Sequence, residues 1–377
     1  MDGEGPIGCI RDTGCMPDGP ELLERAQRIA DDVLFPRAQE RDRAELLPPD
    51  GLDALAEAGL FGIAGPPVEG RAVLDFGTVR RIMAAVGSGC GATFFVWVQH
   101  HGVVRSLTSS ANTDLAVRLL PDLCRGARVA GIAFAHVRRP GAPAVRASER
   151  DGGWRLDGRA PWATSWGIAE RFSVSAVTDD DPPAERRLVR VMVPGHDVAG
   201  LTATPLHLPV FASTGTVALD VEGLEVADAD VVDVQPLAAW RAGDRALASI
   251  GQPAVLGVAD RAVRLLADRP DADAQSAAGR LRAELEAAWD RDDELLPALP
   301  TLAQLDPADA AAVVAAASDH RAACLHLARR ATTAFLAASG GGGMDLSHPA
   351  QRLMREADFY VIQAQTADGR AATLRSI

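Results

Sequence analysis

The chain of 377 residues contains no lysine; all 38 of its basic side chains other than histidine are arginine. This excludes a Schiff-base lysine and the lysine of a phosphate-binding P-loop. The arginine usage itself fits a GC-rich coding bias. Cysteine is scarce as well. Cys9, Cys15, Cys90, Cys124 and Cys324 are odd in number and scattered, and no C-x-x-C pair occurs. That distribution predicts reduced intracellular thiols and no metal site. Positive charge is outweighed, with a net charge of −13, which argues against nucleic acid or an anionic membrane as the main partner. Long apolar runs are missing too. The stretch 308–317 is too short to span a bilayer, and the N-terminus has no apolar signal-peptide core. A cytoplasmic protein is expected.

What is present divides into three patterns. Residues 1–19 carry Gly, Pro and Asp without periodicity and read as a disordered leader. From there to residue 128 apolar residues recur at helical spacing, with helices expected at 21–35, 51–60, 73–86, 92–107 and 113–124. Between 129 and 236 short apolar runs alternate with turn signals such as Asp151-Gly152-Gly153 and Pro194-Gly195. Half-buried strands are expected at 172–177 and 188–193, within an antiparallel barrel or sandwich. From 237 to 377 helical spacing returns at 240–268, 276–296, 307–338 and 349–375, which predicts a four-helix bundle. The fold class is therefore α+β, mostly α.

One stretch, WRLDGRAPWATSWG at 154–167, stands at the centre of this arrangement. Trp162 and Thr164 set a flat indole beside a hydroxyl, an arrangement suited to stacking and orienting a planar heterocycle. Filling the β-domain core is the competing role for the same two residues.

Several stretches taken together resemble the acyl-CoA dehydrogenase superfamily, including its flavin-dependent monooxygenase branch. LLPDLCRGAR at 119–128 is similar to the family's turn before the β-domain. Gly131-Ile132-Ala133-Phe134-Ala135 is similar to the strand whose backbone faces the flavin. Trp162-Ala163-Thr164 matches the family's W-x-T, and TGTVALDVEGLEV at 214–226 resembles the strand leaving the β-domain. Ser339 with Gly340 to Gly343, followed by Pro349, Arg352 and Arg355-Glu356-Ala357, resembles the family's glycine-rich turn and following helix. The resemblance implies FAD as cofactor, with FMN or no flavin as alternatives. It implies flavin contacts from Phe134, Ala135, Trp162, Thr164 and Thr366, and close approach of a dinucleotide at Gly341 and Gly342. It also implies an acyl-thioester or related small-molecule substrate and a homodimer or homotetramer, with a hetero-oligomer as an alternative.

The departures matter as much. In the family a glutamate abstracts the substrate's α-proton, and its position here is Ala364, within Gln363-Ala364-Gln365-Thr366. The alternative base position falls near Leu247, three residues from Asp244. The family's R-x-x-F-G clamp for the adenine end becomes Arg269-Pro270-Asp271-Ala272-Asp273, whose aspartates would repel a pyrophosphate. The motif after the flavin strand becomes Ala135-His136-Val137-Arg138-Arg139, where the arginines are either a solvated loop or phosphate contacts.

Three residues are the catalytic candidates. His100 ends an apolar helix beside His101; one of the two is expected to face solvent as a helix-end charge, and the other to move a proton near the flavin. His136 follows the flavin strand. Gln363 can hydrogen-bond a substrate carbonyl, as can Tyr360, the only tyrosine, and Gln365. His320 and His326 flank Cys324 and read as structural. The expected activity is thus a flavin-dependent oxidoreductase of acyl-CoA dehydrogenase type lacking the usual base. The alternatives are a monooxygenase or oxidase on the same fold, and a non-catalytic paralogue pairing with an active subunit.

Overall fold

Side-chain caps set most helix starts. The computed structural model describes residues 18–66 and 73–377, so the leader expected at 1–19 lies, except for its last two residues, outside the described residues. Asp18 accepts from the Glu21 amide and opens α1 (Gly19–Ile29), which runs on through a π-helical turn, Ala30–Leu34. α2 (Ala38–Arg43) and α3 (Asp50–Glu57) follow. Asp75 caps α4 (Phe76–Gly89), and α5 (Gly91–Thr108) is buried along most of its length. Asn112 caps α6 (Thr113–Arg125), which ends at Gly126 with φ of 72°, a left-handed turn that glycine makes without a Cβ penalty.

The middle segment forms one eight-stranded sheet. Its strands are β1 (Ala130–Ala133), β2 (Val145–Arg150), β3 (Gly153–Ala163), β4 (Arg171–Thr178), β5 (Arg187–Pro194), β6 (Leu201–Pro205), β7 (Val217–Ala227) and β8 (Val231–Pro236). The order is β6-β7-β3-β2-β4-β5-β8, with β1 paired to β4 off this path. The sheet is not wholly antiparallel as expected. β1–β4 and β2–β4 are parallel, because the β2–β3 hairpin turns back and β4 re-enters alongside both earlier strands. β4 is also buried on both faces rather than half-buried. Phe172, Val174 and Ala176 join the sheet's inner core, while Ser173 and Ser175 are buried on the other side.

Two helices expected from periodicity are each broken in two. The first becomes α7 (Leu237–Ser249) and α8 (Ala254–Ala267), interrupted by Gly251 at φ 73° and Pro253. α9 (Ala272–Leu295) and α10 (Pro307–Ser339) match their expected ranges, each opened by an aspartate cap. The last becomes α11 (Pro349–Phe359) and α12 (Ala367–Arg375); His348 caps α11. One hydrophobic core runs through the N-terminal helices and the bundle, joining Leu22, Phe94 and Trp97 to Leu256, Leu325 and Leu353. The β-domain keeps its own core around Trp154, Leu156 and Phe172.

The two helical blocks are also joined by a buried ion pair. Arg80 of α4 donates to both oxygens of Asp292 on α9, at 2.6 and 2.8 Å, and to the Gly251 carbonyl at 3.0 Å. Burial opposes ionisation of Asp292, but His320 and Arg80 outweigh it and hold its pKa below the usual carboxylate value. Replacing Asp292 with Asn should leave the Arg80 charge buried and uncompensated, costing about 3–5 kcal/mol. A urea titration should show the drop in midpoint; an unchanged midpoint would mean that the pair contributes nothing to the joint.

Candidate active site

Side-chain contacts join three elements: the end of β1, α7, and the segment between α11 and α12. Phe134 follows β1 and meets Trp240 of α7 edge-on at 6.5 Å. The Arg138 guanidinium lies 4.8 Å from the Phe134 ring and forms two hydrogen bonds of 2.7 Å to Asp244. At the next residue of α7, Arg245 grips Asp368 of α12 at 2.6 and 2.9 Å. At the C-terminal end of α7, the Ala248 carbonyl accepts from Arg321 of α10. From Trp240 to Ala248 the helix covers roughly 12 Å, so α7 links the end of β1 to the Arg321 contacts.

Arg321 closes the far side. Its guanidinium donates to the carbonyls of Ala248 (3.2 Å), Ala364 (3.0 Å) and Gln363 (2.7 Å). The residue is 3% exposed. Burial, reinforced by nearby Arg138, lowers its pKa to about 10, so it stays charged at neutral pH. Ala364 itself has φ of 50°, a left-handed conformation that costs a non-glycine residue roughly 1–2 kcal/mol. The position expected for a base therefore presents a carbonyl to an arginine and carries no acidic side chain. Gln363 is only half-buried, and Gln365 donates to the Val361 carbonyl. Thr366 caps α12 by accepting from Gly369 N at 3.2 Å.

Trp162 and Thr164 lie on β3 and its continuation. Trp162 is half-buried, with its ring 6.5 Å from Phe359 at the end of α11. Phe359 belongs to an aromatic cluster with Phe95 and Phe211, at ring distances of 4.7 to 5.4 Å. Thr164 is buried; its backbone bridges Ile132 of β1 and its hydroxyl lies 3.2 Å from that of Thr216. Trp162 is therefore not a residue of the inner β-core, whereas Thr164 is enclosed between β1 and the 214–216 turn.

The histidines depart from expectation, because both His100 and His101 are buried. His100 accepts from the Ala130 amide on Nδ1 at 3.1 Å and packs edge-on against Phe61. Burial pulls its pKa down to about 3, only partly offset by the Leu123 carbonyl. Burial, with His100 and Arg105 alongside, takes His101 well below the usual value. His136 donates from Nε2 to the Ser175 carbonyl at 2.8 Å, and burial lowers its pKa to about 4. Asp244, the alternative base, is ion-paired, and the same pair removes Arg138 as a free phosphate contact.

Gly341 and Gly342 lie in the turn before α11, and a Cβ at either would meet nothing within 4 Å. α11 spans roughly 16 Å, so these glycines stand a helix length from Phe359 and Trp162. Arg269 meets them there, donating to the Ala338 carbonyl at 2.8 Å. Arg321, Phe359 and Phe211 escaped the sequence reading. No spacing marks Arg321, since its partners lie 42 to 73 residues away.

With this geometry described, the chain can be placed among known proteins. Its fold is that of the acyl-CoA dehydrogenases. It aligns with butyryl-CoA dehydrogenase from Megasphaera elsdenii at a TM-score of 0.72 and 16% identity, covering 95% of this chain and 97% of that one. With dibenzothiophene monooxygenase from Paenibacillus sp. A11-2 the TM-score is 0.75 at 18% identity, covering 94% and 96%. Residues 17–127 match the acyl-CoA dehydrogenase N-terminal domain. The chain is 27% identical over 191 residues to 3-sulfinopropanoyl-CoA desulfinase of Paraburkholderia xenovorans (strain LB400), covering 48% of this chain and 47% of the relative. The match thus spans about half the length of that relative.

Two expectations follow from these contacts. Replacing Arg321 with Gln should free the 360–366 segment, seen as faster amide hydrogen exchange there than in α8; equal protection in the variant would show that other contacts hold the segment. The second concerns pH. His136 is neutral in the folded state down to about 4, whereas an unfolded histidine takes up a proton near 6.5. Between these values the unfolded state binds more protons, so stability rises with pH. Acidification from pH 6.5 to 4 should cost up to roughly 3 kcal/mol from this residue. Comparing the pH dependence of unfolding with that of His136→Gln isolates the contribution.

Proposed function

We propose that this chain is a flavin-dependent oxidoreductase acting on an acyl thioester or related small molecule without a carboxylate base at the usual position. The observation that carries this reading is the half-buried Trp162 indole beside Phe359, on the helix that leads to Ala364, whose carbonyl is held by Arg321. The residues fit a flavin ring. Trp162 offers the stacking plane, Thr164 a hydroxyl already oriented by Thr216, and Phe134 and Ala135 a backbone edge at the end of β1. A bound FAD or FMN would supply the electron acceptor that these side chains lack.

The chain's own groups then position the substrate rather than remove a strongly held proton. Gln363 and Thr366 can orient a carbonyl or the ring edge. His100 and His136, both held neutral by burial, serve as hydrogen-bonding groups and not as general bases at neutral pH. Such a site suits a substrate whose carbon is already acidic. It equally suits monooxygenase or oxidase chemistry, a reading favoured by the ion-pairing of Asp244. Gly341 and Gly342, open and distant from Trp162, would contact a dinucleotide only across a homodimer or homotetramer interface. The tie of Arg269 to Ala338 favours, as the contrasting reading, a non-catalytic paralogue.

Flavin binding separates these readings. The purified chain should quench the fluorescence of added FAD or FMN, and Trp162→Ala should weaken that binding about tenfold through lost stacking. A chain that binds neither flavin sinks the enzyme reading and leaves the paralogue. Ala364→Glu should then raise desaturation of acyl-CoA substrates above the parent's level; no gain would count against a thioester in this cleft.

A further inference from the structure

Three buried threonine hydroxyls form a chain that starts two residues after Trp162. Thr164, Thr214 and Thr216 are 1%, 0% and 4% exposed. Thr164 Oγ1 lies 3.2 Å from Thr216 Oγ1, which lies 2.9 Å from Thr214 Oγ1. Thr214 Oγ1 in turn lies 2.7 Å from the Phe211 carbonyl oxygen.

The carbonyl sets the direction of the whole chain. A carbonyl oxygen only accepts, and each hydroxyl has one proton to give. Thr214 therefore donates to Phe211. With its proton committed, Thr214 accepts from Thr216, and Thr216 accepts from Thr164. The frame around the chain is tied down. The Phe211 oxygen also accepts from the Thr214 amide at 3.1 Å, while the Ser165 and Trp166 amides donate to the Thr214 and Gly215 carbonyls, each at 2.9 Å. Thr164 is left with lone pairs alone. Side chains alternate along an extended chain, so Thr164 shares a side with Trp162. Ala163, between them, belongs to the β-domain core, whereas Trp162 packs against the helical core.

We propose that Thr216 and Thr214 are positioning residues that make Thr164 a hydrogen-bond acceptor only, and that this favours the reduced over the oxidised form of a bound flavin. The inference rests on the flavin reading, which sets the ring against Trp162 and Thr164. An oxidised isoalloxazine carries one ring N–H and several bare acceptors. Uptake of two electrons with protons turns acceptor nitrogens into N–H donors. A hydroxyl with no proton to give bonds those donors, and its lone pairs repel the bare acceptors.

Anaerobic reductive titration of the full chain against a reference dye, loaded with whichever of FAD and FMN it binds, gives the midpoint potential of the bound flavin. Thr216→Val keeps the shape of the side chain and frees the Thr164 proton. It should lower the potential by about 30 mV, a tenfold loss of preference for the reduced form of a two-electron couple. Thr216→Ser, which keeps the hydroxyl, should restore the parent value. A merely structural role for Thr216 would weaken both forms alike and leave the potential unchanged; that result overturns the proposal and leaves the flavin reading standing. A chain that binds neither flavin overturns both. Neutron diffraction from crystals of the perdeuterated full chain reads the direction without a flavin. The Thr164 deuteron should lie toward Thr216 and the Thr216 deuteron toward Thr214. A Thr216 deuteron directed at Thr164 sinks the proposal even where flavin binds.

Discussion

The cleft depends on one buried cation. Arg321 pairs with no carboxylate among the described residues and is neutralised only by the dipoles of three carbonyls. A guanidinium in that setting is costly to bury and more costly to leave unbonded, so the backbone around it is constrained. Its bonds bring the end of α7, the middle of α10 and the 360–366 segment to one point. They also hold Ala364 in a conformation that alanine alone would avoid.

The same constraint explains where the sequence was legible. α9 and α10 carry aspartate caps followed by long periodic runs, and both lie where the pattern put them. The break at Gly251 and Pro253 was written in the sequence but hidden by good periodicity on either side. The break after Phe359 was not written there at all. YVIQAQT has neither glycine nor proline, and the helix stops where Arg321 takes the Gln363 and Ala364 carbonyls. Tertiary contact overrides local preference in that turn. β4 is a milder case, because alternation implies one buried face and nothing local reports that a second face is covered.

For the site, legibility followed chemistry rather than position. Trp162, Thr164 and Ala364 were singled out by motif spacing; the structure sets Trp162 beside Phe359 at the end of α11 and gives Ala364 a left-handed backbone in the segment that follows. The histidines were readable as residues but not as environments. Whether His100 is a helix-end charge or a neutral core ring depends on the Ala130 amide, thirty residues away. Arginines misled in the same way. Arg138 and Arg139 are adjacent in sequence, yet one is consumed by Asp244 while the other is free.

Electrostatics in the cleft connects these points to the chemistry. Asp244 is matched by Arg138, and Arg321 has no counter-charge, so the cleft carries excess positive charge. Arg105, on the last turn of α5, adds to it. Surrounding protein and Arg190 lower its pKa, and Asp244 pulls the other way. A carboxylate base placed among these cations would be held strongly ionised and thus weakly basic. The same cations would stabilise negative charge developing on a bound substrate. On the proposed reading, the absence of a carboxylate at Ala364 and the unpaired Arg321 would be consistent with each other, and both would suit a substrate that gives up its proton easily or keeps it.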